Sequence, residues 1–497
     1  MSAASRLPVL SCAEAAAAER AFIAGDAALS WELMARAARG IATEALGLLG
    51  RPPQRILVLA GKGNNGADAF LAALHCASVD TEIVAVFAEG GPAHPQAQRA
   101  WATRKRGVRI GVIAAANLSQ LTDEEFCLIF DGILGQGFRA PLSPGLRQFI
   151  RLSDKLQGLR VAVDLPSGLG DDSRGPAFRA DLTVSIGCLK RPLLAPLVKK
   201  FVGRIRVVDI GLPLGETEET CATTGTLAPL RRSRRADSDK RHHGRVLIVG
   251  GSDAMPGAVL MNTRAALQSG AALVTTCLPE TIRARAAVAH AEAMWVGLKT
   301  DRHGSLDKKS LRLIAAQLES KEVVLLGSGM GSTAMPLLGA IASRCRQDIV
   351  LDADALRPAV IKAARMCAHR VLLPHAGEFL RLSGKKSAGP AGRAYAKKTR
   401  SIVVLKGPLT CVTDGTLSVH IPFGGPILAR GGSGDILAGI VASVLARRRE
   451  LGLSAFDAVV TAVTWHALAA DSLRENQGEE AVRTTDLLTE LSPALRA

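Results

Sequence analysis

Aromatic side chains are scarce in this chain of 497 residues: Phe, Trp and Tyr make up 3%, and there is a single tyrosine. Its cores must therefore be assembled from Ala, Leu, Val and Ile. No uncharged apolar run reaches the length that a membrane-spanning helix needs, roughly 18 residues. The start of the chain lacks the basic-then-apolar pattern of a secretory leader. The nine cysteines are scattered, with no Cys-x-x-Cys pair and no metal-ligand spacing. Their odd number argues for reduced thiols rather than a disulfide framework. These absences predict a soluble, cytoplasmic protein.

Hydrophobic residues are plentiful at 48%, enough for two or three domains with sizeable cores. The net charge of +17 favours anionic ligands but is spread along the chain. Its densest block, Arg231 to Arg235 and on through Lys240 to His243, has no interleaved aromatics. That block reads as a solvated linker, and a nucleic-acid partner is not expected.

Short apolar runs alternate with helix-like segments along the whole chain. After an alanine-rich helical stretch, Ala13 to Leu49, strands are predicted at Arg55–Ala60, Thr81–Phe87, Phe126–Phe130, Leu159–Val163, Leu182–Ile186 and Ile205–Ile210. A second series begins at Arg245–Val249 and continues at 271–277, 322–326, 348–351, 370–373 and 402–405. Alternation of this kind predicts α/β domains built on largely parallel sheets. A polar, turn-rich stretch separates them, giving domains over 1–215 and 242–497 with a basic linker over 216–241. No sequence repeat links the halves, so two different α/β folds are expected. The tail, Thr484 to Leu491, reads as a short capped helix.

One stretch stands out: Ile427-Leu-Ala-Arg-Gly-Gly-Ser-Gly-Asp-Ile436, followed at once by an apolar helix pattern to Leu445. The glycines let backbone approach a ligand. The helix start offers unpaired N–H groups and roughly half a positive charge to an anion. Asp435 beside such an anion cradle suits phosphoryl transfer to a hydroxyl, with the amides stabilising charge and the carboxylate as base. Elsewhere in this half, Gly327-Ser-Gly-Met-Gly331, Asp352-Ala-Asp-Ala-Leu356, Leu373-Pro-His-Ala-Gly-Glu378 and Leu405-Lys-Gly-Pro-Leu-Thr410 each close an apolar run with polar residues. Lys406 is a point charge suited to phosphate.

In the first half, Gly61-Lys-Gly-Asn-Asn-Gly-Ala-Asp68 follows a strand and opens a helix, where Gly-rich loops hold phosphates. Asp131 ends another strand, and Asp164 and Ser167 follow a third. Three polar loops at strand ends converge where ligands sit in open α/β sheets.

These strings resemble the NAD(P)H-hydrate repair family: an epimerase domain in the first half and a ribokinase-like, ADP-dependent dehydratase domain in the second. The resemblance implies a Rossmann-like three-layer α/β/α domain followed by a ribokinase-like α/β domain. It implies a potassium ion held by Asn65, Asp131 and Ser167, and contacts to the hydrated nucleotide from Asn64, Asn65, Gly66, Ala67, Asp68 and Asp164. In the second half it implies that Lys406, Gly407, Pro408, Leu409, Thr410 and Gly434 bind the adenine nucleotide. Ala258, Gly331, His375 and Asp435 are implied to contact the hydrate, with Asp435 as catalytic base. The expected ligands are NADH or NADPH hydrate, ADP as phosphoryl donor, Mg2+ and K+, and a homo-oligomer is expected. Several positions depart from the family strings. Ala67 and Ala69 replace glycines, Gly170 an aspartate, Ser328 a proline, Leu373 and Arg430 threonines, and Ser433 is a milder change. Arg430 reads either as an added anion contact or as an obstruction to the nucleotide. The alternative for the second half is a small-molecule kinase acting on a vitamin precursor, which would leave a stable phosphorylated product.

Overall fold

A computed structural model describes residues 5–234, 236–240, 242–386 and 389–496. The chain divides into two compact units: Leu7–Cys221, and Ala222–Ala497 joined by the start of the chain up to Arg6.

The main sheet of the first unit is built, among the described residues, from β1 Arg55–Ala60, β2 Glu82–Phe87, β3 Arg109–Ala114, β4 Glu125–Gly132, β5 Gln157–Val163, β6 Leu182–Ile186 and β7 Arg204–Val208. They form one sheet in the order β3-β2-β1-β4-β5-β6-β7, with every pairing parallel. Along β1, Ile56, Val58 and Ala60 enter one core and Leu57 and Leu59 the other. This is the two-residue period of a strand covered on both faces. Helices Ala27–Leu49 and Asn64–Cys76 cover one face, and Pro144–Ser153 lies over the other. The strand succession switches from one side of β1 to the other between β1 and β4, so the loops after these parallel strands flank the switch-point crevice.

In the second unit the strands are β8 Arg245–Val249, β9 Leu273–Pro279, β10 Met294–Leu298, β11 Val323–Leu326, β12 Asp348–Leu351, β13 Arg370–Leu372, β14 Ile402–Leu405, β15 Thr410–Thr413 and β16 Ser418–Ile421. Their order is β10-β9-β8-β11-β12-β13-β14-β15-β16, parallel up to β14 and antiparallel through β15 and β16. The halves expected to be different folds thus share one arrangement of seven parallel strands and differ by the added hairpin. Strand order is a property of backbone pairing, which leaves no repeat in the side-chain sequence.

Other differences have local causes. The alanine-rich stretch forms two helices, Cys12–Ile23 and Ala27–Leu49, because Ala24 and Gly25 turn left-handed and the Asp26 carboxylate caps the amides of Ala28 and Leu29. β3 escaped the sequence reading because it is an edge strand with largely exposed residues. The stretch expected as a solvated linker carries a strand, Glu219–Ala222, and a 3-10 segment, Thr224–Arg231, that buries Leu227 completely. The tail is a 3-10 turn, Thr484–Leu488, followed by the helix Leu491–Arg496. All nine cysteines remain free thiols. No described helix is long and apolar enough to cross a membrane.

The second domain is organised around the helix Ser433–Ala446, whose residues are almost all buried. It packs on Pro256–Gln268, where Asn262 Nδ2 donates to the Asp435 carbonyl at 2.7 Å. Gly439 makes this close approach possible, since a Cβ there would lie 2.4 Å from Asn262 O and 2.7 Å from Ala265 Cβ. In an open helix, Gly to Ala gains about 1 kcal/mol. Here overpacking, about 1–3 kcal/mol, outweighs that gain. Gly439→Ala is therefore expected to lower the urea midpoint, and a midpoint at or above wild type would contradict the packing.

Candidate functional site

A cleft of about 1050 Å³ opens at the switch point of the first domain. Its walls include Gly61, Lys62, Gly63, Asn64, Asn65 and Asp68 from the glycine loop and its helix, with Glu19, Asp164 and Lys190 facing them. Gly66 and Ala67 do not line it. Ala67 and Ala69 turn their methyls into the helix–sheet core, so the groups expected to crowd a ligand point away from it. Ala69 instead sets the approach of its helix to β4: a Cβ on Gly132 would lie 2.6 Å from Ala69 Cβ.

The three expected potassium ligands converge around Leu134. Ser167 N–H donates to Asp131 Oδ2 at 2.8 Å and the Ser167 hydroxyl donates to Asp131 Oδ1 at 2.6 Å. Leu134 N–H donates to Ser167 Oγ at 2.8 Å, and Asn65 Nδ2 donates to the Leu134 carbonyl at 2.9 Å. Burial pushes the Asp131 carboxyl up to about 6 despite the Ser167 hydrogen bonds. A desolvated carboxylate among hydroxyl, amide and carbonyl oxygens fits a hard cation of low charge.

Deeper in the cleft lies an ion pair that sequence reasoning missed. Lys190 Nζ sits 2.5 Å from Asp164 Oδ1, and both side chains are almost fully buried. Burial alone would lower the Lys190 ammonium, but Asp164 outweighs it and holds the lysine above its usual value. Asp164 has φ +66°, a left-handed backbone costing on the order of 1–3 kcal/mol that tends to mark functional loops. Asp68 Oδ1 is buried without a hydrogen-bond partner. Burial, with Glu19 and Asp164 beside it, pushes the Asp68 carboxyl well above the usual carboxylate range, and Lys190 offsets only part. Nothing local marks Lys190 or Glu19, because they reach the cleft from a strand end and a helix remote in sequence. Gly170, where the family has an aspartate, is followed by Asp171, whose carboxylate caps Cys12 N and Ala13 N.

In the second domain the expected residues gather around Asp435, in the first turn of its helix. Lys406 follows β14 and places Nζ 3.0 Å from Asp352 Oδ1. A Cβ on Gly434 would lie 3.3 Å from that ammonium, so the charge sits against the helix start. Burial, then the Asp352 carboxylate, push the Asp435 carboxyl up to about 6, with the Ser328 side chain and then Lys406 pulling the other way. Asp352 belongs to a motif visible in the sequence, but only the fold shows its pairing with Lys406. Its neighbour Ala353 has φ +46°. Asp354 Oδ2 accepts from Gly331 N at 2.8 Å, and Gly329 approaches Ala258, so the Gly327–Gly331 loop, Ala258 and the Asp352–Leu356 loop form one wall.

His375 pairs by backbone with Lys406 and caps the helix Ala376–Ser383. Its Nδ1 accepts from Gly377 N at 3.0 Å. In the neutral ring the proton is therefore on Nε2, whose side chain is largely exposed and can donate to a ligand. Gly407, Pro408 and Leu409 form the turn into β15, where Thr410 Oγ1 donates to Gly407 O at 3.3 Å. Arg430 neither reaches into the cradle nor pairs with an acid there. It donates to the carbonyls of Glu480 at 3.1 Å and Val482 at 3.2 Å, and Thr484 Oγ1 donates to Gly431 O at 2.8 Å. This pins the glycine loop from outside. Also missed was His466, fully buried near Lys406 and Ser433. Burial, then Lys406, hold it near 4 and therefore neutral.

Two Rossmann-ordered domains, each with buried acid–lysine chemistry at the carboxyl ends of its strands, define a two-domain α/β enzyme. A family described as NAD(P)H-hydrate dehydratase matches residues 246–493, and one described as YjeF-related protein N-terminus matches 30–192. The bifunctional NAD(P)H-hydrate repair enzyme Nnr of Moorella thermoacetica is 30% identical over 473 residues, covering 89% of this chain and 88% of that one. Its counterpart in Pyrobaculum aerophilum is 32% identical over 464 residues, covering 89% of each. A ribokinase-like superfamily protein from Enterococcus faecalis aligns with 57% of this chain and 97% of its own, at 26% identity and TM-score 0.49. The chain belongs to the family of bifunctional NAD(P)H-hydrate repair enzymes.

If Asp435 acts as a base, only its ionised form accepts a proton. The second domain's kcat/KM is then expected to rise with pH through about 6 and level off above it. A flat profile across that pKa would count against the role.

Proposed function

We propose that the second domain dehydrates the S form of NADH or NADPH hydrate at the expense of ADP, and that the first domain interconverts the R and S hydrates. The observation that carries the dehydratase reading is the set of Asp435, Asp352 and Lys406 at a glycine-cradled helix start. Asp435 takes the proton of the C6 hydroxyl while its oxygen attacks the terminal phosphoryl group of ADP, releasing AMP. The Gly431–Gly434 amides and Lys406 steady the transferred charge. Phosphate then leaves C6 with its bonding electrons, pushed by the ring nitrogen lone pair, and a proton leaves C5 to restore the dihydropyridine. Hydroxide is a poor leaving group at neutral pH, and phosphorylation removes that obstacle. His375 Nε2–H and the Ala258–Gly331 wall hold the hydrate, and Lys406–Thr410 with Gly434 hold the nucleotide.

Magnesium is expected on the phosphates of the nucleotide. Among the described residues no group of three or more His, Cys, Asp or Glu comes together to hold a metal. In the first domain Asn65, Asp131 and Ser167 would hold potassium, which would supply a fixed positive charge when bound.

The deciding experiment incubates NADH hydrate with the protein and either ADP or ATP and follows the return of dihydronicotinamide absorbance. Recovery with release of phosphate supports the reading, and a stable phosphorylated product would identify a kinase instead. Asp435→Asn is expected to slow recovery by about 10²–10⁴-fold with little change in nucleotide affinity. A variant within threefold of wild type would refute a base role. Potassium is expected to raise the thermal midpoint of the first domain and to support R-to-S conversion, and Asp131→Ala to abolish both effects while S-hydrate dehydration persists. Equal behaviour in potassium and tetramethylammonium would remove the cation site.

A further inference from the structure

Five carboxyl groups line the first domain's cleft: Glu19, Asp26, Asp68, Glu89 and Asp164. Four are committed elsewhere. Asp26 caps a helix by accepting from Ala28 N at 2.8 Å and Leu29 N at 3.0 Å. Glu89 faces the Ser143 hydroxyl at 3.4 Å. Glu19 accepts from Gln136 Nε2 at 2.6 Å. Asp164 is closed by Lys190 at 2.5 Å and by Ile186 N at 3.0 Å. Asp68 remains, on the helix Asn64–Cys76, with its buried Oδ1 finding no hydrogen-bond partner among the described residues.

We propose that Asp68 is the general acid of hydrate epimerisation, delivering a proton to the C6 oxygen of the substrate. The inference rests on the epimerase reading given above. Glu19 and Asp164 lie beside Asp68, Glu19 being itself pushed up by burial, and the buried cation next to them among the described residues, Lys190, is spent on Asp164. A further ionised carboxylate beside the Asp164–Lys190 pair would be repelled by Asp164 and poorly solvated, so the site favours the acid form. A neutral carboxyl in a cleft that shields it from water is a proton donor, as the chemistry requires. The C6–O bond breaks as Asp68 gives its proton to the hydroxyl oxygen, water departs, and the N1 lone pair forms an N1=C6 double bond. Water then adds to the opposite face, a new C6–O bond forms, the N1=C6 electrons return to nitrogen, and the proton shed by the incoming water restores the carboxylic acid. No oxidant or other reactant is consumed.

The test uses full-length protein and purified R hydrate, with R-to-S conversion followed by chromatography. Asp68→Asn keeps the shape and removes the acid. It is expected to lower kcat for conversion by about 10²–10⁴-fold, a loss well beyond any loss of R-hydrate affinity, with S-hydrate dehydration by the second domain within twofold of wild type. Asp68→Glu, which keeps an acid, is expected to recover part of the rate. The proposal is overturned if Asp68→Asn converts within threefold of wild type. It is equally overturned if Asn and Glu variants lose affinity for R hydrate to the same extent as they lose rate, which would mark a binding or structural group. If wild type itself fails to convert R hydrate, the epimerase reading falls and the proposal with it.

Discussion

Both domains depend on carboxyl groups held out of water at the carboxyl edge of a parallel sheet. Asp68 and Asp131 in the first domain and Asp435 in the second all have their acid forms favoured chiefly by burial. A parallel sheet covered on both faces brings this about. Its strands all deliver their loops to one edge, and the helices that shield the faces also exclude solvent from the crevice. In each domain one lysine–aspartate pair limits the cost of the arrangement: Lys190 with Asp164, and Lys406 with Asp352. Each pair neutralises one carboxylate and leaves a neighbour with an unsettled proton. Left-handed backbone accompanies both pairs, at Asp164 itself and at Ala353 next to Asp352.

The shared strand order does not make the domains equivalent. In the first, polar groups come from the loops after β1, β4 and β5 and from the helix Cys12–Ile23, and they surround an open cleft. In the second, the loops after β11, β12 and β14 meet the start of a buried helix, whose glycine loop exposes backbone amides. One strand order thus carries a buried acid–lysine cleft in one domain and a glycine-lined helix start in the other, because loops supply the functional groups and strands supply only position.

Departures from the family strings acquire meaning once their surroundings are known. Arg430 spends its guanidinium on carbonyls of the 479–482 segment, so it braces the cradle without entering it. Ala67 and Ala69 fill the helix–sheet core. Asp171, one position beyond Gly170, serves as a helix cap at Cys12. Ser328 lies buried beside Asp435, and its hydroxyl pulls that carboxyl down, an interaction that a proline side chain has no group to make.

The sequence by itself determined the α/β class, most strand positions and the glycine loops, and it singled out Asn65, Asp131, Ser167, Lys406 and Asp435 as candidates. Apolar periodicity, turn residues and helix-start glycines are local signals, written within a few positions of the elements they specify. Only the tertiary structure decided that the two sheets share an order, that Lys190 closes on Asp164, and that Glu19 reaches the same cleft. It alone turned Ala67 and Ala69 into the core and tied Arg430 to the segment near Glu480. Those outcomes depend on which groups meet across large separations in sequence, and on how much water is left between them. Burial and the proximity of charge set proton affinities, and neither exists until the chain has folded.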